Sequence, residues 1–448
     1  MSSQQNIVFF FSDQQRADTL GCHGQMPDVT PRLDAFAAKD AVDFVHAYTA
    51  QPVCGPARAM LQTGLYPTQT GCFRNAVSLP LNQKTLARRL REAGYQVAYV
   101  GKWHLASDEN ENHYETIPVP PERRGGYDDY WMAADVLEFT SHGYGGYIYD
   151  KDGKKLTFTG YRPDCLTDYG VRYIEEYQGD KPFFLMISHI EPHHQNDRND
   201  YEGPEGSRER FGDFTAPADL ERGKGDWEEF YPDYLGCCHA LDANFGRIID
   251  ALKKKGIYDN TMVIYGSDHG CHFRTRMDEV VEGGYDDYKR NSFEGTIHVP
   301  LMIKGNGFVG GTREEHVVSL LDVPKTILTA AGCSEESLKE LQGRPLQETG
   351  DGNWEDAVYI QISESFVGRA VRTERYKYVI HAPGKHPWNE SSSDVYQEKY
   401  LFDLRNDPLE KTNLIRNPDY DEIRRELRER IVRFGREARE CFRVEAED

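Results

Sequence analysis

The sequence predicts an α/β protein built on a mostly parallel sheet covered by helices on both faces. Three observations carry that reading. Short continuous apolar runs, rich in aromatic and β-branched residues, recur along the chain; segments with helical apolar periodicity alternate with them; and four of the runs end directly in polar residues able to do chemistry. A run apolar at every position marks a strand buried on both faces, and the intervening helices supply the crossovers that parallel strands need.

The first run, NIVFFF at 6–11, leads straight into SDQQR. Next comes QPVCGPARAMLQTG at 51–64, in which Pro56 suits a first helical turn, where its missing N–H costs nothing, and Gly64 suits a left-handed C-terminal cap. Cys54 then sits at the positive end of a helix dipole with Arg58 about one turn along, a place where an anion would meet backbone N–H groups and a guanidinium. Read by composition alone, Cys54 is a buried apolar thiol. TLARRLREAG at 85–94 puts Leu86, Leu90 and Ala93 on one face and Gly94 at the stop, before the strand run YQVAYVGKWH. PFFLMISHIEPHH opens as a buried strand at Phe183. HALDANFGRIIDALKKKG carries Leu241, Phe245, Ile248, Ile249 and Leu252 on one stripe, Gly256 ends it, and TMVIYGSDHG follows as another strand. GRPLQETGDGNWED at 343–356 reads as a linker. Beyond it YIQISE, GRAVRTERYKYVIH and KYLFDLRNDPLEKTNL read as short strands with turns, and YDEIRRELRERIVRFGREARE as a terminal helix. The expected division is a catalytic domain over 1–345 and a C-terminal α+β subdomain over 356–448, an antiparallel sheet with a helix that buttresses the larger unit.

Asp13 and Gln14, Lys102 and His104, His189 and His193, and Asp268 and His269 all follow carboxyl ends of these strands. In an open α/β sheet ligands bind at that edge, so residues more than 250 positions apart converge on one crevice. One such cluster could simply cap its strand; four together point to a site.

The totals bound the function. At 448 residues the chain can bury a large core, and its formal net charge of −21 argues against a nucleic-acid or anionic-membrane surface, which needs clustered Lys and Arg. No apolar run of about 18 residues and no charged-then-apolar leader is seen, so a soluble, cytoplasmic protein is expected. Nine scattered cysteines lack zinc-site spacing and fit reduced, buried thiols.

CGPARAMLQTG resembles the signature of the type I, formylglycine-dependent sulfatases, C-x-P-S-R followed by a helix ending in T-G. NIVFFFSDQQR, VGKWHL, FFLMISHIEPHH, YGSDHG, YKRNSFEGTIHVPL, LLDVPKTILTAAG and the segments from AVRTERYKY to NDPLEKTNL are similar to the family's successive motifs, in family order. The resemblance implies an alkaline phosphatase-like fold and a sulfuric ester hydrolase whose cysteine is converted to formylglycine by a maturation enzyme. It implies that Asp13, Gln14, Asp268 and His269 bind one divalent cation, Ca²⁺ or Mg²⁺ to judge from the oxygen-rich set. It implies that Arg58, Lys102 and Lys289 hold the sulfate and the nucleophile derived from Cys54. His104 would be the base that releases sulfate, and His193 the group that contacts the bridging oxygen and protonates the leaving alcohol. The sequence departs from the family at Gln14, where many members have a second aspartate, and at Ala57, where serine is usual. His194, Gln195, Asn196, His272 and Arg274, in loops just beyond two of the clusters, are the expected substrate contacts. The substrate class expected is a small sulfated saccharide attacked from its end. A phosphonate monoester or phosphodiester hydrolase, or a non-catalytic metal-dependent protein that binds sulfated sugars, are the alternatives.

Overall fold

The computed structural model describes residues 4–446 apart from 27 and 223. Ten strands form the large sheet: β1 (Asn6–Ser12), β2 (Val42–Phe44), β3 (Gln96–Lys102), β4 (Tyr130–Ala134), β5 (Tyr144–Asp150), β6 (Lys155–Tyr161), β7 (Phe183–Ser188), β8 (Thr261–Ser267), β9 (Leu301–Lys304) and β10 (Thr312–Glu314). Their spatial order is β10-β2-β9-β8-β1-β7-β3-β4-β5-β6. The central five, β8-β1-β7-β3-β4, are parallel throughout, with Ile7 beside both Phe184 and Met262, Val97 beside Phe184, and Ala98 beside Tyr130. Five carboxyl ends therefore share one edge. Antiparallel pairing enters only outside this centre, where β9 joins β8 to β2 and the β5–β6 hairpin extends the far edge.

Why these runs are strands is visible in where alternate residues go. Ile7, Phe9 and Phe11 enter one core, together with Phe184 and Met186; Val8 and Phe10 enter the other, with Leu185 and Ile187. Seven helices are used below: α1 (Pro31–Lys39), α2 (Cys54–Thr63), α3 (Leu86–Glu92), α4 (Arg162–Glu176), α5 (Trp227–Lys255), α6 (Asp322–Ala330) and α7 (Asp421–Glu437). Met60, Leu61, Leu86, Leu90, Ile327 and Leu328 bring α2, α3 and α6 to the first face, while Leu33, Phe36, Leu166, Leu241, Phe245 and Ile248 bring α1, α4 and α5 to the second. With both faces covered, every position of β1, β7 and β8 is buried, and each large apolar side chain there contributes about 1.5–3 kcal/mol.

The helix stops fall where glycine was expected. Gly64 (φ +68°) and Gly256 (φ +76°) take left-handed cap conformations after α2 and α5, and Gly94 (φ +92°) lies just past α3. Thr85 caps α3 by accepting the N–H of Arg88. α5 reaches back to Trp227, well before the stripe that announced it, and buries Cys237 and Cys238; all nine cysteines are free thiols.

The C-terminal sheet runs in sequence order through β11 (Ala357–Ile362), β12 (Gly368–Thr373), β13 (Tyr376–His381), β14 (Val395–Asp403) and β15 (Arg443–Glu445), antiparallel except for the last pair. Leu427 and Ile431 of α7 cover one face with Val371, Tyr378 and Ile380. The other face, with Val358, Ile360, Ile362 and Val379, packs on Tyr48, Ile297 and Val317 of the large unit. Residues 343–356, expected as a linker, lie against the large unit as well: Leu346 is buried in its core and the Trp354 Nε1–H donates to Val317 O. Among the described residues no helix is long and apolar enough to cross a membrane.

Candidate active site

The site stands on the shared carboxyl edge. β1 delivers Asp13 and Gln14, β8 delivers Asp268 and His269, β3 ends on Lys102 with His104 two residues on, and His193 follows β7. α2 brings Cys54 and Arg58 over this edge, and the segment between β8 and β9 brings Lys289. Four non-glycine residues here have left-handed backbone: Gln14 (φ +70°), His104 (φ +60°), Tyr288 (φ +64°) and Arg290 (φ +77°), the last two flanking Lys289. Such conformations cost free energy and persist where surrounding contacts fix them. Gly101 (φ +101°) explains itself: a Cβ there would lie 2.0 Å from Ser188 O, so only glycine lets β3 deliver Lys102 beside β7.

Cys54 is the centre of the cluster. Its Sγ lies 3.1 Å from Lys289 Nζ, 3.2 Å from His269 Nε2 and 3.4 Å from Asp13 Oδ1. Asp13 Oδ2 accepts from Lys102 Nζ at 2.7 Å and from Arg58 at 2.8 Å. Arg58 also donates to Ser188 Oγ at 2.7 Å and to Lys102 O at 2.8 Å, so this buried guanidinium lies beneath Asp13 and orients it rather than facing the cavity. Arg58, expected with Lys102 and Lys289 to hold the sulfate and the nucleophile, is thus placed against Asp13. Asp268 Oδ1 accepts the backbone N–H groups of Gln14 and His269, both at 2.9 Å. Lys289 Nζ donates to His193 Nε2 at 2.7 Å, while His193 Nδ1 faces His194 O. A carbonyl oxygen accepts only, which assigns the proton to Nδ1 and leaves Nε2 as the acceptor.

Charges are arranged to favour an anion at position 54. Burial alone would raise the Cys54 thiol; Lys289, Lys102 and His269, with a hydrogen bond from His104, reverse this and hold it well below the ordinary thiol value. Burial likewise opposes charge on Asp13, yet Lys102, His193 and Arg58 keep it well below the usual carboxylate range. Asp268 goes the other way: burial and then the neighbouring Asp13 push it up to about 6. Burial depresses His269, but Asp268 and the Cys54 sulfur outweigh it and raise the imidazole.

These last two shifts describe a cluster short of positive charge, and the donors fit a hard divalent cation. Ligand atoms of Asp13, Cys54, Asp268 and His269 all lie within 4.8 Å of one another. Asp268 Oδ2 is buried with no hydrogen-bond partner. His269 Nδ1 lies 2.9 Å from Gly270 O, which turns Nε2 inward as a lone-pair donor, the usual arrangement of a metal-bound histidine. Gln14 is less committed: its Oε1 accepts the His194 N–H at 3.2 Å, leaving one lone pair for a cation.

Above Cys54 opens a cavity of about 340 Å³ lined also by Lys102, His104, His193 and Lys289. Of the five expected substrate contacts, Asn196 lines it and four do not. His194 packs its ring on Tyr288 at 4.5 Å and places Nδ1 3.0 Å from Asn196 Oδ1. Gln195 is buried and its amide donates to Asp197 Oδ1 and Glu138 O. His272 Nε2 lies 3.0 and 3.1 Å from the Asp286 oxygens, and Arg274 pairs with Asp226 at 3.4 Å. These groups pair with protein neighbours rather than lining the cavity. His189 also packs below the site, its ring 4.7 Å from Phe10 and Nε2 3.4 Å from Thr167 Oγ1.

Burial, with Arg162 and Arg247, lowers His189 from 6.5 to about 3. Because the folded value lies below the unfolded one, the unfolded chain takes the proton first, so this group leaves stability unchanged above pH ~6.5 and lowers it as pH falls from there towards ~3. His189→Gln is therefore expected to flatten the loss of stability between pH 7 and 5 in chemical denaturation; an equally steep loss would put the acid sensitivity elsewhere.

Sequence reasoning passed over Asp135. Its Oδ1 accepts the N–H of Leu105 and of Ala106, both at 3.0 Å, its Oδ2 that of Ser107 at 2.8 Å, and its carbonyl that of His104 at 2.8 Å. It thus shapes the turn that carries His104. The signal was present, since Asp135 follows β4 as Asp13 follows β1. Asn75 was missed too: its Oδ1 takes the Gly55 N–H at 2.9 Å, so that helix-terminal donor is already engaged.

The chain matches the family described as Sulfatase over residues 5–333, and the C-terminal part of the N-sulphoglucosamine sulphohydrolases over residues 282–437. It is 29% identical to an ulvan-active sulfatase of Formosa agariphila, across 94% of this chain and 79% of that one. It is 24% identical to an N-acetylglucosamine-6-O-sulfatase of Bacteroides thetaiotaomicron, across 94% and 84%. A crystal structure from Bacteroides fragilis, named as a sulfatase, superposes with a TM-score of 0.81 at 24% identity, covering 98% of this chain and 96% of that one; at this identity the likeness concerns the fold.

Proposed function

The chain belongs to the sulfatase family and is a sulfuric ester hydrolase of alkaline phosphatase-like fold, and from that premise we propose that it releases inorganic sulfate from the end of a small sulfated saccharide, using a formylglycine made from Cys54 and one divalent cation. The observation that carries the reading is the placement of Cys54 Sγ, within 3.4 Å of Lys289, His269 and Asp13 at the floor of a cavity. The thiol stands where the oxygen of the modified side chain would lie.

Formylglycine would supply a hydrated aldehyde oxygen as the nucleophile towards sulfur, and Ca²⁺ or Mg²⁺ held by Asp13, Asp268 and His269, with Gln14 adjoining, would offset charge on the sulfate oxygens. The chain's own groups do the rest. Lys102 and Lys289 face the cavity and bind the sulfate, worth most where charge accumulates in the transition state. His193 Nε2, fed by the Lys289 ammonium at 2.7 Å, delivers a proton to the departing alcohol. His104, whose Nδ1 lacks a partner, takes the proton whose loss frees sulfate. Arg58 and Asp135 hold Asp13 and His104 in place.

Cys54 is 1% exposed, so a maturation enzyme needs the segment before the fold closes over it. Nine free thiols support a reducing, cytoplasmic setting, and the net charge of −21 argues against nucleic-acid or membrane partners. The substrate class follows from the names of the carbohydrate sulfatases this chain resembles and from a cavity of about 340 Å³, which suits a short saccharide. Comparing matched aryl esters tests the reaction: kcat/KM for the sulfate is expected to exceed that for the phosphonate by at least about tenfold. The reverse order would reassign the enzyme to phosphonate monoesters.

A further inference from the structure

The outer wall of the cavity carries groups that the sulfate chemistry does not use. Trp388, from the C-terminal sheet's β13–β14 connection, is braced by Arg74 and Glu109. The Arg74 guanidinium lies 4.6 Å from its ring centre, its Nε1–H donates to Glu109 Oε1 at 2.9 Å, and Arg74 donates to the same carboxylate at 2.7 Å. Tyr285 is braced likewise, with Arg290 4.7 Å from its ring and its own N–H donating to Glu364 O at 2.7 Å, yet half of its surface is exposed. Glu115, Glu138 and Asp197 line the same cavity. Among the described residues no lysine or arginine pairs with any of the three: Glu138 accepts the Asn196 N–H at 2.8 Å, Asp197 accepts from the Gln195 amide at 2.7 Å and lies 3.7 Å from His142, and Glu115 lies 3.8 Å from His113. The lysine and arginine side chains that line the cavity each have an anionic or sulfur partner: Lys102 with Asp13, Lys289 with Cys54, and Arg290, which lies against Tyr285, with Glu364.

We propose that this outer wall is a leaving-group subsite for a pyranose ring bearing hydroxyl or amino groups and no second anionic substituent, with Trp388 and Tyr285 as ring platforms and Glu138, Asp197 and Glu115 as the polar contacts. The proposal rests on the reading of the chain as a saccharide sulfatase and specifies which saccharides it takes. Two rings held flat by guanidinium groups behind them present apolar faces to a sugar's C–H face at little ordering cost. Carboxylates accept hydrogen bonds from hydroxyls and pair with an ammonium, whereas a second sulfate or a uronate would meet unneutralised negative charge in a partly desolvated pocket. One anionic group is thus welcomed at the floor and a second is rejected at the rim.

The test uses the full chain with Cys54 unconverted, loaded with Ca²⁺, and calorimetric titration with glucosamine 6-sulfate and with the same sugar also sulfated on its nitrogen. The singly sulfated sugar is expected to bind at least about tenfold tighter. Glu138→Gln keeps an acceptor for the Asn196 N–H while removing the charge, and is expected to shrink that ratio by about three- to tenfold. Trp388→Ala, in a connection on the cavity wall, is expected to weaken both ligands by about tenfold and leave the ratio unchanged. Equal affinities, tighter binding of the disulfated sugar, or binding of neither sugar would overturn the subsite. Sulfate release by the converted enzyme is measured alongside: its absence with the binding order intact would sink the sulfatase reading alone, and its presence with the order reversed would sink the subsite alone.

Discussion

Cys54→Ala is expected to lower kcat/KM for any sulfate ester by at least ~10⁴-fold, because it removes the only atom at that position able to become a nucleophile. The change deletes one sulfur from a buried cluster and costs about 1 kcal/mol of stability, so the melting transition should move little. That separation of activity from folding is the discriminating part. Lys102, Lys289, His104 and His193 all remain in place in the variant, and if they sufficed to activate water directly, substantial turnover would survive. Retained activity within about tenfold of the parent would therefore reject covalent catalysis at this position. Mass spectrometry of the peptide containing residue 54, from active parent enzyme, should show the loss of mass that accompanies replacement of sulfur by oxygen together with removal of two hydrogens, which distinguishes the aldehyde from a serine.

Asp13→Asn is expected to cost both activity and stability. Asp13 is fully buried and is the shared anion of Arg58 and Lys102 at 2.8 and 2.7 Å. An amide leaves two buried cations without their counter-charge, a loss of about 3–5 kcal/mol. The same substitution removes a cation ligand and lets Lys102 move, so kcat/KM should fall by at least ~10³-fold. The sign with pH is fixed by the depressed Asp13 value. Its stabilisation is fully present above the unfolded carboxylate value near 3.9 and is lost only as pH falls below it, so above the Asp268 value of about 6, which depends in part on Asp13, the stability gap to the parent should be constant from about pH 9 to 7. Denaturant titrations across that range measure it; a gap that opens or closes within it would mean that another group carries the coupling. Chelation of the parent should abolish activity reversibly with Ca²⁺ or Mg²⁺, whereas Asp13→Asn should not be rescued at matched concentrations.

Much of the architecture was legible because its signals are local. NIVFFF and PFFLMIS are apolar at every position, which only a strand covered on both faces can use, and β1 and β7 do send alternate residues into two cores. Gly64 and Gly256 mark helix stops because the left-handed caps they occupy penalise any side chain. The β5–β6 hairpin went unread although YIYDKDGKKLTF alternates around an Asp-Gly turn, since that edge is half exposed and shows no continuous apolar run. Asp135 went unread for want of a partner in the sequence; its role exists only because the N–H groups of residues 104–107 fold back upon it.

By itself the sequence determined which residue types stand at the carboxyl ends of the central strands, and a parallel sheet then gathers Asp13, Lys102, His193 and Asp268 at one edge whatever else happens. Only the tertiary structure decided where the side chains turn. Arg58 points beneath Asp13 because a buried guanidinium must find anionic and carbonyl acceptors; His194, Gln195 and His272 turn into the wall because Tyr288, Asp197 and Asp286 await them there; and Trp388 and Glu138 meet across one cavity from positions 250 residues apart. Strand and helix periodicity is a property of neighbours in the chain. The direction of a loop side chain is settled by partners from distant segments, and no local pattern encodes them.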